Sequence, residues 1–335
     1  MSAELPFEKI NRDILIRKES KTNPDYGCDP YNQPIEKLLV NGIINIDKPR
    51  GPTSHQVSDY LQKILGIMKA GHSGTLDPGV TGVLPIAYGR ATRIVQFLLK
   101  AGKEYVCLMH IHKPVEQEKL IETINMFTGN IEQLPPIKSA VKRRVRKRNV
   151  YYAEILDVVG QDVLLKIGCQ AGTYIRKWCH DVGQALGTGA HMAELRRTKA
   201  GPFTEETAVY LQDVADAIYF YKEKNNETFL RKILLPVETA VEHLPKVWLF
   251  DNAINTICNG ASIAVPGISK LHTGINKNDY VAVMSLKNEL ICVGTALMDS
   301  ADILNTDKGI AVKSYKVFME PGTYPSLKSK SKENK

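Results

Sequence analysis

Apolar residues recur along this chain in two rhythms. In HQVSDYLQKILGI, Val57, Tyr60, Leu61, Ile64 and Leu65 return every three or four positions, which predicts an amphipathic helix. VEQEKLIETINMFTG keeps that rhythm and stops at Gly129, and RATRIVQFLLKAG predicts a shorter helix. LLVNGIINIDKPRGPTSH (38–55) predicts a buried strand running into a Pro/Gly turn, with Thr53 or Ser54 placed to cap the next helix. KEYVCLMHIH alternates as a strand does. YAEILDVVGQDVLLKIGCQAGTYIRKWCHDVGQAL predicts two strands and a helix, yet GTYIRKWCHDVG taken alone sets Tyr174 and Arg176 on one side of a strand. To about residue 240 the chain is thus mixed α and β, unevenly ordered. From 247 to 320 the texture changes to short β runs broken by Gly, Asn and Asp, which predicts a β-barrel-like module. Residues 1–35 are irregular, but Tyr26, Tyr31 and the LPF and ILI groups predict an extension that packs on another part of the protein.

The net charge of +8 over 335 residues suits a polyanionic partner. No apolar run approaches the ~20 residues of a membrane helix, and the N-terminus has no apolar signal core, so a cytosolic or nuclear address is expected. Six cysteines stand singly, without CxxC spacing, which argues against structural zinc. The eight histidines form no HExxH, and no HxE with a downstream Cys pair, which argues against a zinc protease or deaminase.

Two stretches carry candidate chemistry. AGHSGTLDPGVTGVLP (70–85) surrounds one carboxylate, Asp77, with four glycines and two prolines. Alone, such an Asp is more commonly a turn former. An arginine beside it, with Arg176 the candidate, would keep a buried carboxylate ionised and oriented. The second stretch is LPPIKSAVKRRVRKR, where seven Lys and Arg fall between Lys138 and Arg148 almost unrelieved by acids, which points to phosphate contact.

GHSGTLDPGVTGVLP resembles the catalytic-aspartate signature of the TruB family of RNA pseudouridine synthases. GIINIDKPRGPTSH resembles that family's first motif and KEY (103–105) its tyrosine motif. GTYIRKWCHDVGQALG and AHMAELRRTKAGPF resemble its later Tyr-x-Arg and Leu-Arg-Arg motifs. The order is the family's, over roughly residues 38–210, and 247–320 resembles a PUA RNA-binding domain. The extension before the first motif, the short span up to LPPIKSAVKRR and that stretch itself resemble the dyskerin type; the brief tail SLKSKSKENK resembles its archaeal branch.

The resemblance implies an α+β fold: a catalytic domain with a central mixed, mainly antiparallel sheet (36–245) and a small β-barrel-like PUA domain (246–322). It further implies an extension (1–35) packing on the PUA domain and a basic disordered tail (323–335). The implied reaction converts uridine to pseudouridine in rRNA and tRNA, breaking the N-glycosidic bond and rejoining the base through C5. It needs no cofactor and no metal. Asp77 resembles the essential carboxylate, which attacks the ribose or assists its deprotonation; Arg176 resembles its partner. Tyr105 resembles the tyrosine that stacks on the target uracil. His72 resembles the residue that helps extrude the base, and Tyr174 and Leu195 resemble pocket walls. Lys142, Arg143, Arg144, Arg146, Lys147 and Arg148 are the expected RNA contacts. Lys48 is counted with them, although its place in the first motif reads mainly as scaffold. Implied partners are an H/ACA guide RNA, the substrate RNA, a small Nop-type protein, a Gar-type protein and a kink-turn-binding ribosomal-type protein, with no membrane. The setting is the archaeal cytoplasm, or the nucleolus in a eukaryote. The alternatives are a guide-independent synthase for the tRNA T-arm and a non-catalytic RNA scaffold.

Overall fold

A computed structural model describes residues 3–135 and 142–325. Lys138 of the basic run, and all of the expected tail beyond Pro325, lie outside the described residues. The chain forms two compact units, one of residues 1–9, 44–87 and 95–233, the other of 10–43, 88–94 and 234–335.

The first unit is built on a nine-stranded sheet. Its path runs Ile43–Lys48, Thr81–Tyr88, Ala190–Ala200, Lys103–Ile111, Asp162–Cys169, Arg146–Val159, Gly129–Gln133. Thr81–Gly82 pairs in parallel with Arg196–Arg197, while the long ladders through Lys103–Ile111, Asp162–Cys169 and Arg146–Val159 are antiparallel. Gly82 sits at that parallel contact with φ +101°, and a Cβ there would meet the Arg197 carbonyl oxygen at 2.2 Å, so only glycine permits the approach. The Ile175–Leu186 helix lays Ile175, Trp178, Cys179, Val182 and Leu186 on the buried side chains Cys107, Met109, Leu165 and Ile167 of the sheet. Their three- and four-residue spacing forms one stripe, and each large apolar side chain so buried contributes about 1.5–3 kcal/mol. Trp178 Nε1 donates to Phe127 O (3.0 Å), which satisfies its one polar atom inside this core.

The Ser54–Leu65 helix starts at a capping box: Thr53 Oγ1 accepts from Gln56 N (3.1 Å) and Gln56 Oε1 from Thr53 N (2.8 Å). Thr53 is therefore the cap, and the Ser54 hydroxyl is free for another task.

The second unit holds a seven-stranded sheet ordered Ile14–Ile16, Ile268–His272, Lys246–Leu249, Tyr280–Ser285, Leu290–Ala296, Ile310–Val317, Ile263–Ala264. Val247, Leu249, Ile268, Leu271, Val281, Val283 and Ile291 fill its core. The N-terminal segment supplies the edge strand, with Ile14 opposite His272 and Ile16 opposite Lys270. Farther along, Lys287 Nζ donates to the carbonyls of Pro24 (3.2 Å), Tyr26 and Gly27 (3.4 Å). Glu289 accepts from Cys28 N (3.0 Å) and Tyr324 Oη (2.6 Å). The first residues go elsewhere: Leu5 is fully buried in the first unit, where Glu8 accepts from Lys199 Nζ (2.8 Å). Among the described residues no helix is long and apolar enough to cross a membrane.

Candidate active site

The carboxylate of Asp77 stands at the tip of a loop fastened from beneath. Ser54 Oγ accepts from Leu76 N (2.8 Å) and donates to Leu76 O (3.2 Å). Val80 N closes a turn on Asp77 O (3.0 Å), and Gly51 N donates to Pro78 O (2.8 Å). Lys48 Nζ gathers the carbonyls of Pro49 (2.9 Å), Pro78 (3.2 Å) and Val80 (2.8 Å). Lys48 is fully buried, so the expected RNA contact is corrected: its ammonium faces inward onto three carbonyls. Burial, with a smaller push from Arg197, lowers its pKa.

Arg176 forms an ion pair with Asp77 through Nη2 and Oδ2. Two sequence expectations are corrected here. Tyr174 and Arg176 do not share a strand face: Tyr174 is the N-cap and Arg176 lies in the first turn of the Ile175–Leu186 helix. Nor is Asp77 buried, since its side chain is 52% exposed and that of Arg176 55%. The stripe that starts at Ile175 wins the segment for a helix, and Gln133 clamps its start, accepting from Tyr174 N (3.0 Å) and donating to Tyr174 O (3.2 Å). Sequence reasoning misses the buried amide of Gln133, because no spacing signals its partner.

Tyr105 and Leu195 are partly buried residues packed on the same core cluster; across the Lys103–Ile111 and Ala190–Ala200 strands, Tyr105 faces Arg197 and Cys107 faces Leu195. Arg197 is buried and donates to Val83 O (2.7 Å) and Gly74 O (3.2 Å), which ties the strand to the loop before Asp77. Burial raises the pKa of the Tyr105 phenol, and the Arg197 charge beside it pulls the other way. Lys103 donates to Leu98 O (2.7 Å) and Ala101 O (2.8 Å), and burial, helped by Arg197, brings its pKa down to about 7. Glu104 accepts from Tyr152 Oη (2.5 Å) and Thr198 Oγ1 (2.8 Å). Arg196 holds Asp47 through both terminal nitrogens (2.9 and 2.8 Å). These buried polar partners underlie the KEY and Leu-Arg-Arg motifs, and the order of residues alone does not assign them.

His72 lies two residues from Gly74, its ring edge-on to His55 at 4.9 Å between centroids. Burial first, then the His55 and Arg197 charges, lowers its pKa to about 4, so the imidazole is neutral. Its Nδ1 has no hydrogen-bond partner among the described residues. The basic run diverges from this site in sequence but stays on its sheet: Arg146, Lys147 and Arg148 open a strand opposite Gln133, Glu132 and Ile131. Lys142, Arg143, Arg144 and Lys147 are exposed, while Arg146 and Arg148 are half-buried. Arg148 Nε donates to Gly172 O (3.1 Å), just before Tyr174.

The family pattern described as TruB family pseudouridylate synthase (N terminal domain) matches residues 62–175, and the tRNA pseudouridylate synthase B C-terminal domain matches 176–242. A DKCLD domain matches 2–58 and a PUA domain 245–318. Among curated relatives, the probable tRNA pseudouridine synthase B of Nanoarchaeum equitans is 54% identical over 96% of this chain and 92% of its own length. The chain belongs to the TruB family of pseudouridylate synthases. The Pyrococcus furiosus member, also called a probable tRNA pseudouridine synthase B, is 54% identical over 95% of this chain and 94% of its own. A chain from a crystal structure of a Cbf5-Nop10-Gar1 complex superposes with a TM-score of 0.93 at 54% identity, covering 97% of this chain and 99% of that one. A second, from an H/ACA RNP bound to a substrate RNA containing 2'-deoxyuridine, gives 0.91 at 51% identity over 96% and 99%. As a TruB-family member of the dyskerin type, the protein is a pseudouridine synthase with an α+β catalytic domain and a PUA domain.

Proposed function

We propose that the protein isomerises uridine in RNA as the catalytic subunit of an H/ACA guide-RNA particle, with Asp77 as its catalytic carboxylate. The observation that carries this reading is the near end-to-end likeness to chains from a Cbf5-Nop10-Gar1 complex and from an H/ACA particle holding substrate RNA. Its partners are then Nop10- and Gar1-like proteins with a guide RNA, and its setting the cytoplasm, in keeping with free cysteines throughout.

In this reading the target uridine leaves its stack, as bases do in enzymes that act on them. Asp77 acts on the ribose while Arg176, its ion-pair partner, aims the carboxylate. Tyr105 stacks on the uracil, with Leu195 and Tyr174 as walls that keep the cleaved base from escaping. The neutral His72 takes part in extruding the base. The C1'–N1 bond breaks, the C1'–C5 bond forms, the C5 proton leaves, and N1 gains a proton, so atoms balance without a cofactor. Lys142, Arg143, Arg144, Arg146, Lys147 and Arg148 meet the RNA backbone.

Tritium release from 5-labelled uridine, with and without guide RNA, tests both parts. The wild-type protein in its particle releases tritium only with a matching guide, and Asp77→Asn abolishes release while keeping fold and RNA binding. Turnover on tRNA without a guide would favour the second reading, which the names of the curated relatives support. Substantial turnover by Asp77→Asn would remove Asp77 from its role.

A further inference from the structure

We propose that Ser54 is the positioning residue that fixes the Asp77 backbone before RNA arrives. The inference rests on the reading of Asp77 as the catalytic carboxylate.

Ser54 is the first residue of its helix, yet its hydroxyl does not serve that helix. Thr53 and Gln56 already close the capping box. The Ser54 oxygen instead meets both backbone polar groups of Leu76, accepting at 2.8 Å and donating at 3.2 Å, in a site with no solvent exposure. The Leu76 carbonyl belongs to the peptide plane that carries the Asp77 nitrogen. One hydroxyl therefore sets the plane on the N-terminal side of Asp77. On the C-terminal side Pro78 confines Asp77 to extended backbone, Val80 N holds Asp77 O (3.0 Å), and Gly51 N and Lys48 Nζ hold Pro78 O. With both flanks fixed, only the Asp77 side-chain torsions stay free, and Arg176 engages the carboxylate that projects from them.

The same turn of helix reaches a second group. His55, the next residue, meets His72 edge-on at 4.9 Å. The Ser54–His55 pair thus touches the active-site loop at two places, Leu76 by hydrogen bonds and His72 by ring contact. A rigid helix with a closed cap is a better reference frame for this than a loop would be.

Removing the hydroxyl frees the Leu76 peptide planes and lets Asp77 drift from the ribose. A misplacement of about 1 Å costs on the order of 100-fold in rate. The test is single-turnover tritium release with enzyme in excess, on an RNA that the wild-type protein converts, alongside RNA affinity and thermal melting. Ser54→Ala is expected to slow the step by about 10- to 100-fold while affinity stays within about twofold. Ser58→Ala is the control, since Ser58 Oγ donates to Ser54 O (3.1 Å) within the same helix rather than to the loop; it is expected to lower Tm and leave the rate unchanged. If Ser54→Ala does not fold, Ser54→Cys, similar in size and a weak donor and acceptor, is expected to show a smaller drop in the same direction. An unimpaired rate in the Ser54 variant, or equal slowing by Ser58→Ala, overturns the proposal. Asp77→Asn run beside them separates two failures. If that protein is inactive and Ser54→Ala is not slowed, the clamp alone is wrong. If Asp77→Asn turns over freely, the role of Asp77 and the purpose of the clamp fall together.

Discussion

A histidine held neutral inside a polar loop leaves a mark on stability. His72 ordinarily titrates near pH 6.5, but in the fold its pKa falls to about 4, mainly through burial. Between these values the unfolded chain binds a proton that the folded chain refuses, so stability drops as the pH falls from about 6.5 towards 4. His72→Gln is therefore expected to flatten the decline of Tm across that window relative to wild type; parallel Tm profiles would show that His72 is not the group responsible. Single residues are the least legible level of the sequence. Asp77 in a glycine turn reads as a turn former, and only its place among the ordered family motifs raises it above that. Lys48 and Arg197 give no sign of their burial, because their carbonyl partners are backbone atoms that spacing cannot reveal. Ser54 reads only as a cap.

Elements are more securely legible where one stripe of apolar residues dominates. The helix from Ser54 and the strand from Lys103 follow their periodicities, although on the helix Val57 and Leu61 are buried while Tyr60, at the margin of the same stripe, stays exposed. The segment around Tyr174 carries two signals, a two-residue polar repeat and a longer apolar stripe. The stripe prevails because it buries Trp178 and its neighbours, whereas of the repeat Tyr174 is only partly buried and Arg176 is exposed. The basic run also gains meaning at this level. Its strand begins opposite Gln133, the residue that clamps Tyr174 at the start of the helix, so the cations and that clamp share one stretch of sheet. Replacing Lys142, Arg143, Arg144 and Lys147 together by Gln is expected to reduce the slope of log affinity against log salt by about 3, if each meets a phosphate of single-stranded RNA. An unchanged slope in a binding titration would return these residues to the role of a solvated face.

The change in texture near residue 247 marks the start of the β-rich runs, whereas the unit that holds them begins at residue 234 and also takes in residues 10–43 and 88–94. The sequence places the first 35 residues in one extension on the C-terminal module. In the structure residues 10–43 belong to that unit, while Leu5 and Glu8 are bound into the first. Pairings between residues so far apart leave no local pattern. Lys287 and Glu289 hold the segment from Pro24 to Cys28, so the intact protein is expected to resist brief protease treatment there; Lys287→Met with Glu289→Ala is expected to be cut early. Equal resistance of the two proteins, followed by mass spectrometry, would mean that other contacts carry the segment.

The edge strand at Ile14–Ile16 also bears on how the protein is made. Asp13 N donates to Thr273 Oγ1, a partner 260 positions later in the chain. At a synthesis rate of about 5–20 residues per second, the N-terminal strand waits on the order of ten seconds or more for its neighbour to exist. During that interval Leu15, which packs on the core of the finished sheet, and the backbone of Ile14–Ile16 have no partner, which makes the nascent chain a client for whatever shields unpaired strands at the ribosome.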